Sequence, residues 1–149
     1  QHMLMNGIDV TGDIRTQDIS QKASLISAHA IVRDMLLDMQ RDVAKKHNVI
    51  MDGRDIGSVV LPRADVKFFL TASAEVRAQR RYEELKAKGS KDTFEKVLKE
   101  VNERDHADMT RSVAPLKQTK SHILVDTSDM TIEEVIAHMG AIVREKCKL

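Results

Sequence analysis

Aromatic side chains make up only 3% of the 149 residues: Phe68, Phe69, Phe94 and Tyr82, with no tryptophan. A single-strand nucleic-acid binder stacks bases on aromatic faces and follows the backbone with positive charge. Both resources are short here, because the net charge is only +1. A nucleic-acid partner is therefore not expected, and any basic site must be local. Cysteine occurs once, at Cys147 in a lysine-rich tail, which excludes a disulfide framework or a cysteine metal site within one chain. That usage fits a reducing, cytoplasmic setting, and Cys147 reads as incidental rather than reactive. No apolar run approaches the roughly 18 residues of a membrane span, and no signal peptide is visible. The six histidines form no metal-ligand spacing and pair with no nucleophile, so they read as surface or helix residues.

Hydrophobic residues are 42% and charged residues 32%, ordinary for a globular chain with a core of its own. Gln1-His2-Met3 reads as an expression-tag remnant, with natural sequence from about Leu4. Asn6-Gly7 predicts a tight turn between short apolar pieces. Thr16 is a plausible N-cap with Asp18 in the first turn, opening helical character that runs to about His47 with a break near Ser27. Ile31, Met35, Leu36, Met39 and Val43 recur at helical spacing and form one apolar face. Val49-Ile50-Met51 reads as a buried strand that stops at the Asp52-Gly53 turn. Residues 66–70 predict a second strand, followed by a helix from Ala74 to Lys88 with Ser73 as cap and Gly89 just past its end. Asp92 and Glu95 fit a capping box for a helix whose apolar face is Phe94, Val97, Leu98 and Val101. Residues 123–125 predict a third strand. Thr131 and Glu134 make another capping box, before a helix burying Ile132, Val135, Ile136, Met139, Ile142 and Val143. Strands separated by helices imply an α/β fold with a parallel sheet flanked by helices. Three strands are few for a doubly wound sheet.

Ligands in such sheets sit beyond the carboxyl ends of the strands. Asp52-Gly53-Arg54-Asp55-Ile56-Gly57 sets a guanidinium beside a carboxylate at that rim; the alternative is a polar turn closed by a local salt bridge. Arg104, Asp108 and Arg111 share one helix face that continues the apolar one. Two arginines flanking an aspartate suit a ligand with both hydroxyls and phosphate, although a plain salt-bridge ladder has the same pattern. Arg77, Arg80 and Arg81 crowd one side of the helix that opens just past the second strand and could bind phosphate, or simply solvate that face together with Glu83 and Glu84. Gly7 to Gly12 has the spacing of a phosphate-loop motif, but Asp13 and Ile14 follow where Lys and Ser or Thr are needed, so the motif is rejected.

Four segments carry a resemblance: VIMDGRDIGSVVLP over 49–62, VKFFLTAS over 66–73, EVRAQRRY over 75–82 and RDHADMTRSVAPL over 104–116. With NGIDVT over 6–11, Ile14-Arg15-Thr16, Ala23-Ser24 and Val32-Arg33, they make the chain resemble the C-terminal two-thirds of a bacterial-type cytidylate kinase. The resemblance implies transfer of the ATP γ-phosphoryl to CMP or dCMP with Mg²⁺, giving CDP or dCDP. It also implies a phosphate-loop α/β core (49–149), the end of a monophosphate-binding insert (4–48) and a short lid at about 76–93. By position, Ser24, Arg33 and Asp55 would read cytosine, Arg104 and Asp108 would hold the sugar, and Arg54 and Arg111 the CMP phosphate. Arg80 and Arg81 would belong to the lid over the ATP phosphates.

The chemistry of the set agrees with that allocation. Cytosine offers an amino donor, which a carboxylate accepts, and ring acceptors, which need donors such as Arg33 and Ser24. UMP would face Asp55 with a second acceptor. The resemblance also implies that the family's first strand, phosphate loop and following helix lie outside these residues. The chain alone is therefore expected to be inactive and marginally stable, with an unpaired sheet edge. The intact enzyme is expected to be a monomer with no membrane partner. The competing reading is a non-catalytic nucleotide-binding or interaction module.

Overall fold

The computed structural model describes residues 2–27 and 29–148, apart from the side chains of Gln17, Gln21 and Ser24. It divides into two compact units, Gln1–Ile50 and Met51–Leu149.

The first unit opens with a hairpin of β1 (Leu4–Met5) and β2 (Ile8–Asp9), antiparallel, with Met5 opposite Ile8. Asn6 and Gly7 take φ of 52° and 81°, the left-handed pair that a two-residue hairpin turn requires. His2 Nδ1 pairs with Asp9 Oδ2 at 2.6 Å, and Val10 N–H donates to Met3 O, so the hairpin's flanks are tied as well. A short 3₁₀ turn follows at Asp13–Arg15. Helix α1 (Gln17–Ser27) starts at the expected cap, Thr16, whose Oγ1 accepts from Ile19 N–H at 3.4 Å. Helix α2 (Ala30–Lys46) follows the predicted break. Its apolar stripe is present but uncovered: Ile31 is 80% exposed, and Met35, Leu36, Met39 and Val43 are exposed too.

Residues 49–51 are not a strand, contrary to the expectation from their apolar run. They pair with no described strand and Ile50 is fully exposed. An extended run becomes a strand only when a neighbour takes its N–H and C=O groups. The sheet of the second unit therefore has two strands, not three: β3 (Phe68–Thr71) and β4 (Ile123–Asp126), parallel, with Phe68 beside Ile123 and Thr71 beside Asp126. Hydrogen bonds from Ile123 N to Lys67 O and from Thr127 N to Thr71 O, each 2.8 Å, extend the ladder at both ends.

The crossover between these strands carries α3 (Ala74–Ala87) and α4 (Phe94–Thr110), which pack on each other. Ser73 Oγ accepts from Val76 N–H, and Gly89 at φ +82° ends the turn after α3, as its spacing predicts. The cap of α4 is Thr93, accepting from Lys96 N–H, and not Asp92. Asp92 instead pairs through its side chain with Lys96 and Ser90. Helix α5 (Ile132–Cys147) has the full Thr131/Glu134 capping box. Its buried side is narrower than predicted: Val135, Met139, Ile142 and Val143 are half-buried, whereas Ile132 and Ile136 are exposed.

The described core is Val60, Ala72, Ala78, Val97 and Val125 with the polar Thr127, all in the second unit. Ala78 and Val97 are almost wholly enclosed, and the small Ala78 lets α3 approach α4 closely. Among the described residues, no helix is long and apolar enough to cross a membrane.

Candidate functional site

A wide turn follows the first site residues, Arg54 and Asp55. Val60 N–H donates to Asp55 O and Leu61 N–H to Ile56 O, at 3.2 and 2.7 Å, so residues 56–60 wind with five-residue spacing. Such wide turns gather at functional sites because they re-aim the chain. The turn is wedged from one side. A Cβ on Gly57 would overlap the His122 ring at Nε2. That ring is held by Thr119, whose N–H and Oγ1 lie 3.1 and 2.8 Å from Nδ1, and it meets Phe69 of β3 edge-on at 6.2 Å. His122 thus departs from the surface-or-helix expectation: it is half-buried in the turn before β4 and props the loop that carries Arg54 and Asp55.

Arg54 reaches α4. Its Nε lies 2.8 Å from Asp108 Oδ2. Arg104 and Arg111 approach the same carboxylate at 4.0 and 3.8 Å. Arg111 is the first residue past α4, and its Nε donates to Ala114 O at 2.7 Å. Leu116 N–H returns to Asp108 O at 2.8 Å, with Ala114 strained at φ +47° between them. The loop 111–116 is thereby folded back over the end of the helix. The sequence-predicted face of Arg104, Asp108 and Arg111 exists, and Arg54 joins it.

Asp108 is only 15% exposed in its side chain. Arg54 is close to Oδ2, yet its N–H is not aimed there: Oδ2 is sealed from water and accepts no aligned hydrogen bond among the described residues. Nη2 of Arg111 is likewise buried with no acceptor. A buried unmet donor or acceptor costs about 1–3 kcal/mol. This cluster holds one of each. Three guanidiniums around one carboxylate leave an excess of two positive charges. The arrangement can take a ligand that gives a hydroxyl proton to Asp108 and a dianionic phosphate to the arginines.

The three arginines of α3 do not gather at one point, contrary to the clustered reading. Arg77 forks onto Asp105 of α4, Nη1 to Oδ1 at 2.9 Å and Nη2 to Oδ2 at 2.6 Å, and its Nε donates to Ala72 O at 3.0 Å. The fork holds the Asp105 carboxyl below the usual carboxylate range and raises Arg77 further above its ordinary value. Arg80 donates to Thr127 Oγ1 and, at 2.6 Å, to Thr127 O. Arg81 pairs with Glu84 on its own helix at 2.8 Å. Charge spacing shows that arginines lie on one side of a helix, but not which neighbouring element each one reaches. Asp105 was missed for this reason; its only signal is its place one turn before Asp108.

Arg33 belongs to the first unit, where Nη1 donates to Ser27 O at 3.4 Å. The Ser24 side chain lies outside the described residues. Asp55, half-buried in the second unit, uses its backbone carbonyl to bind Val59, Val60 and Ser58. Gly7 and Gly12, the false phosphate-loop spacing, are a hairpin turn and the approach to a 3₁₀ turn, so they form no cradle. No group of three or more histidine, cysteine or carboxylate side chains able to hold a metal occurs among the described residues.

A small parallel sheet flanked by helices, with an arginine-rich cluster around a largely buried carboxylate, defines an α/β protein. Comparison with known proteins gives the family. A model of the cytidylate kinase family matches residues 1–145. The cytidylate kinase of Clostridium botulinum (strain Hall) is 51% identical over 144 residues, 97% of this chain and 66% of that protein. That of Thermosipho melanesiensis is 49% identical over 148 residues, covering 99% and 68%. That of Bacteroides fragilis (strain ATCC 25285) is 50% identical over 130 residues, covering 87% and 57%. The chain belongs to the cytidylate kinase family. It spans just under two-thirds of the Clostridium protein's length.

Proposed function

We propose that this chain carries the acceptor side of a nucleoside monophosphate kinase, one that moves the γ-phosphoryl of ATP onto CMP or dCMP. The observation that carries the reading is the pair of unmet polar atoms, Asp108 Oδ2 and Arg111 Nη2, buried together in an arginine cluster. A nucleoside monophosphate has the matching groups at the matching polarity: sugar hydroxyls to donate and a phosphate to accept. Asp108 with Arg104 takes the sugar. Arg54 and Arg111 hold the phosphate, neutralise it and fix the oxygen that attacks. Such a reaction depends on positioning and charge neutralisation more than on a covalent nucleophile.

The base-reading roles of Ser24, Arg33 and Asp55 rest on the family resemblance and the chemistry of the three side chains. Asp55 accepts from the cytosine amino group, while the hydroxyl and guanidinium donate to the ring acceptors. A uracil carbonyl facing Asp55 leaves two acceptors without a proton, at a cost of about 1–3 kcal/mol. Arg80 and Arg81 belong to a lid over the phosphoryl donor, which requires Arg80 to leave Thr127. ATP with Mg²⁺ supplies the transferred group. Its β- and γ-phosphates need a glycine-rich loop with lysine, and no such motif occurs in these 149 residues. The chain by itself therefore binds acceptor without turning it over.

The test is calorimetric titration with CMP, dCMP and UMP, beside an assay for CDP formation. Binding of CMP with at least about fivefold preference over UMP supports the reading. Equal affinity for UMP would remove the base-reading assignment, and rapid CDP formation by this chain alone would refute the statement on turnover.

A further inference from the structure

We infer that Arg77 and Asp105 are positioning residues, a directional clamp that sets the roll of α4 and so the aim of Asp108 and Arg111. The inference rests on the reading of α4 as the helix that holds the monophosphate.

Helices α3 and α4 pack on each other, with Ala78 and Val97 buried and Tyr82 meeting Phe94 edge-on at 6.3 Å. Apolar burial is itself non-directional, so it does not by itself specify the roll of one helix against the other. The Arg77 guanidinium has direction. Its Nε is fixed on Ala72 O, just past β3, and its two Nη groups grip both oxygens of Asp105. One planar group thus joins the end of the sheet, α3 and α4. Asp105 lies one helical turn before Asp108, so a shift of the clamp passes directly to the site carboxylate. Asp105 also lies within the electrostatic reach of Arg54 and Arg104, which belong to the site. Positional tolerance in such sites is narrow, and about 1 Å of misplacement can cost about a hundredfold in rate.

A clamp and a plain charge pair make different demands on residue 77. Lysine keeps the charge but has no planar fork and no Nε–H to bind Ala72. Arg77→Lys should therefore behave like Asp105→Asn if geometry matters, and like the wild type if only charge does.

The experiment is amide hydrogen exchange on the 149-residue chain and these two variants. The Leu116 amide, bonded to Asp108 O, reports the site; the Thr127 amide, bonded to Thr71 O, reports the sheet. The expected result is exchange at Leu116 at least about tenfold faster in both variants, with Thr127 changed far less. Wild-type exchange at Leu116 in Arg77→Lys would overturn the inference. So would equal acceleration at Leu116 and Thr127, or loss of the fold in both variants, because the pair would then be a general stabiliser. CMP titration of the same samples separates the two readings. If the wild type binds no CMP, the monophosphate reading fails, while the exchange pattern still decides whether the clamp positions α4.

Discussion

Arg54 Nε stands 2.8 Å from Asp108 Oδ2, joining a wide turn before β3 to the last stretch of α4 across 54 residues of sequence. The contact is close but misdirected, so the buried carboxylate oxygen accepts no aligned hydrogen bond among the described residues, and Arg111 Nη2 is buried without an acceptor as well. Asp108→Asn keeps the shape and replaces one charged acceptor with an amide. It removes the charge that Arg54, Arg104 and Arg111 share, and with it the acceptor for a sugar hydroxyl. Charged hydrogen bonds of this kind contribute about 1.5–3 kcal/mol. CMP affinity should fall by roughly 10- to 150-fold, read by calorimetry. Unchanged affinity would place the sugar elsewhere.

The prop behind Arg54 is testable through Gly57. Any side chain there meets the His122 ring, which Thr119 and Phe69 hold in place. Gly57→Ala should cost about 1–3 kcal/mol, as overpacking does, and lower the melting temperature by roughly 2–10 °C. Adding His122→Ala relieves the overlap. The double variant should then be more stable than the sum of the two single effects, whereas strict additivity would mean that the ring is not the obstacle.

How much of this was legible in the sequence depends on how local each cause is. The Asn6-Gly7 turn, the Thr16, Ser73 and Thr131 caps and the Gly89 stop are settled within a few residues, and each is found where it was expected. The face shared by Arg104, Asp108 and Arg111 follows from helical period alone. What needed a partner far along the chain was not legible. Residues 49–51 have the composition of a strand but no neighbour to complete a ladder. Ile132 and Ile136 have the period of a buried face but are exposed. Arg77, Arg80 and Arg81 looked alike by spacing and went to Asp105, Thr127 and Glu84. The five-residue turn at 56–60 has no composition signature.

The start of α4 gives a local test of one correction. Thr93 Oγ1 accepts from Lys96 N–H, so Thr93→Ala removes the cap and should cost about 1 kcal/mol. Asp92 offers no cap, only an exposed pair with Lys96 and a hydrogen bond from Ser90 Oγ, so Asp92→Ala should cost less. Urea midpoints of the two variants check the order. A larger loss for Asp92→Ala would restore the capping role to residue 92.

Asp105 makes stability depend on pH in a stated direction. The Arg77 fork, first, and then the charges of Arg77, Arg54 and Arg104 hold its carboxyl below the ordinary value of about 3.9. A group whose folded-state value is depressed stabilises the fold fully above its unfolded value. That contribution is lost as pH falls through the lower, folded value. Arg77 stays charged throughout, so the change belongs to the carboxyl. The stability gap between the wild type and Asp105→Asn, measured from urea midpoints, should be constant from about pH 7 down to about pH 5 and should shrink below about pH 4. Asparagine has nothing to protonate, so its own acid loss comes only from the remaining carboxylates. A gap that widens in acid would mean that the Arg77–Asp105 fork does not form in solution.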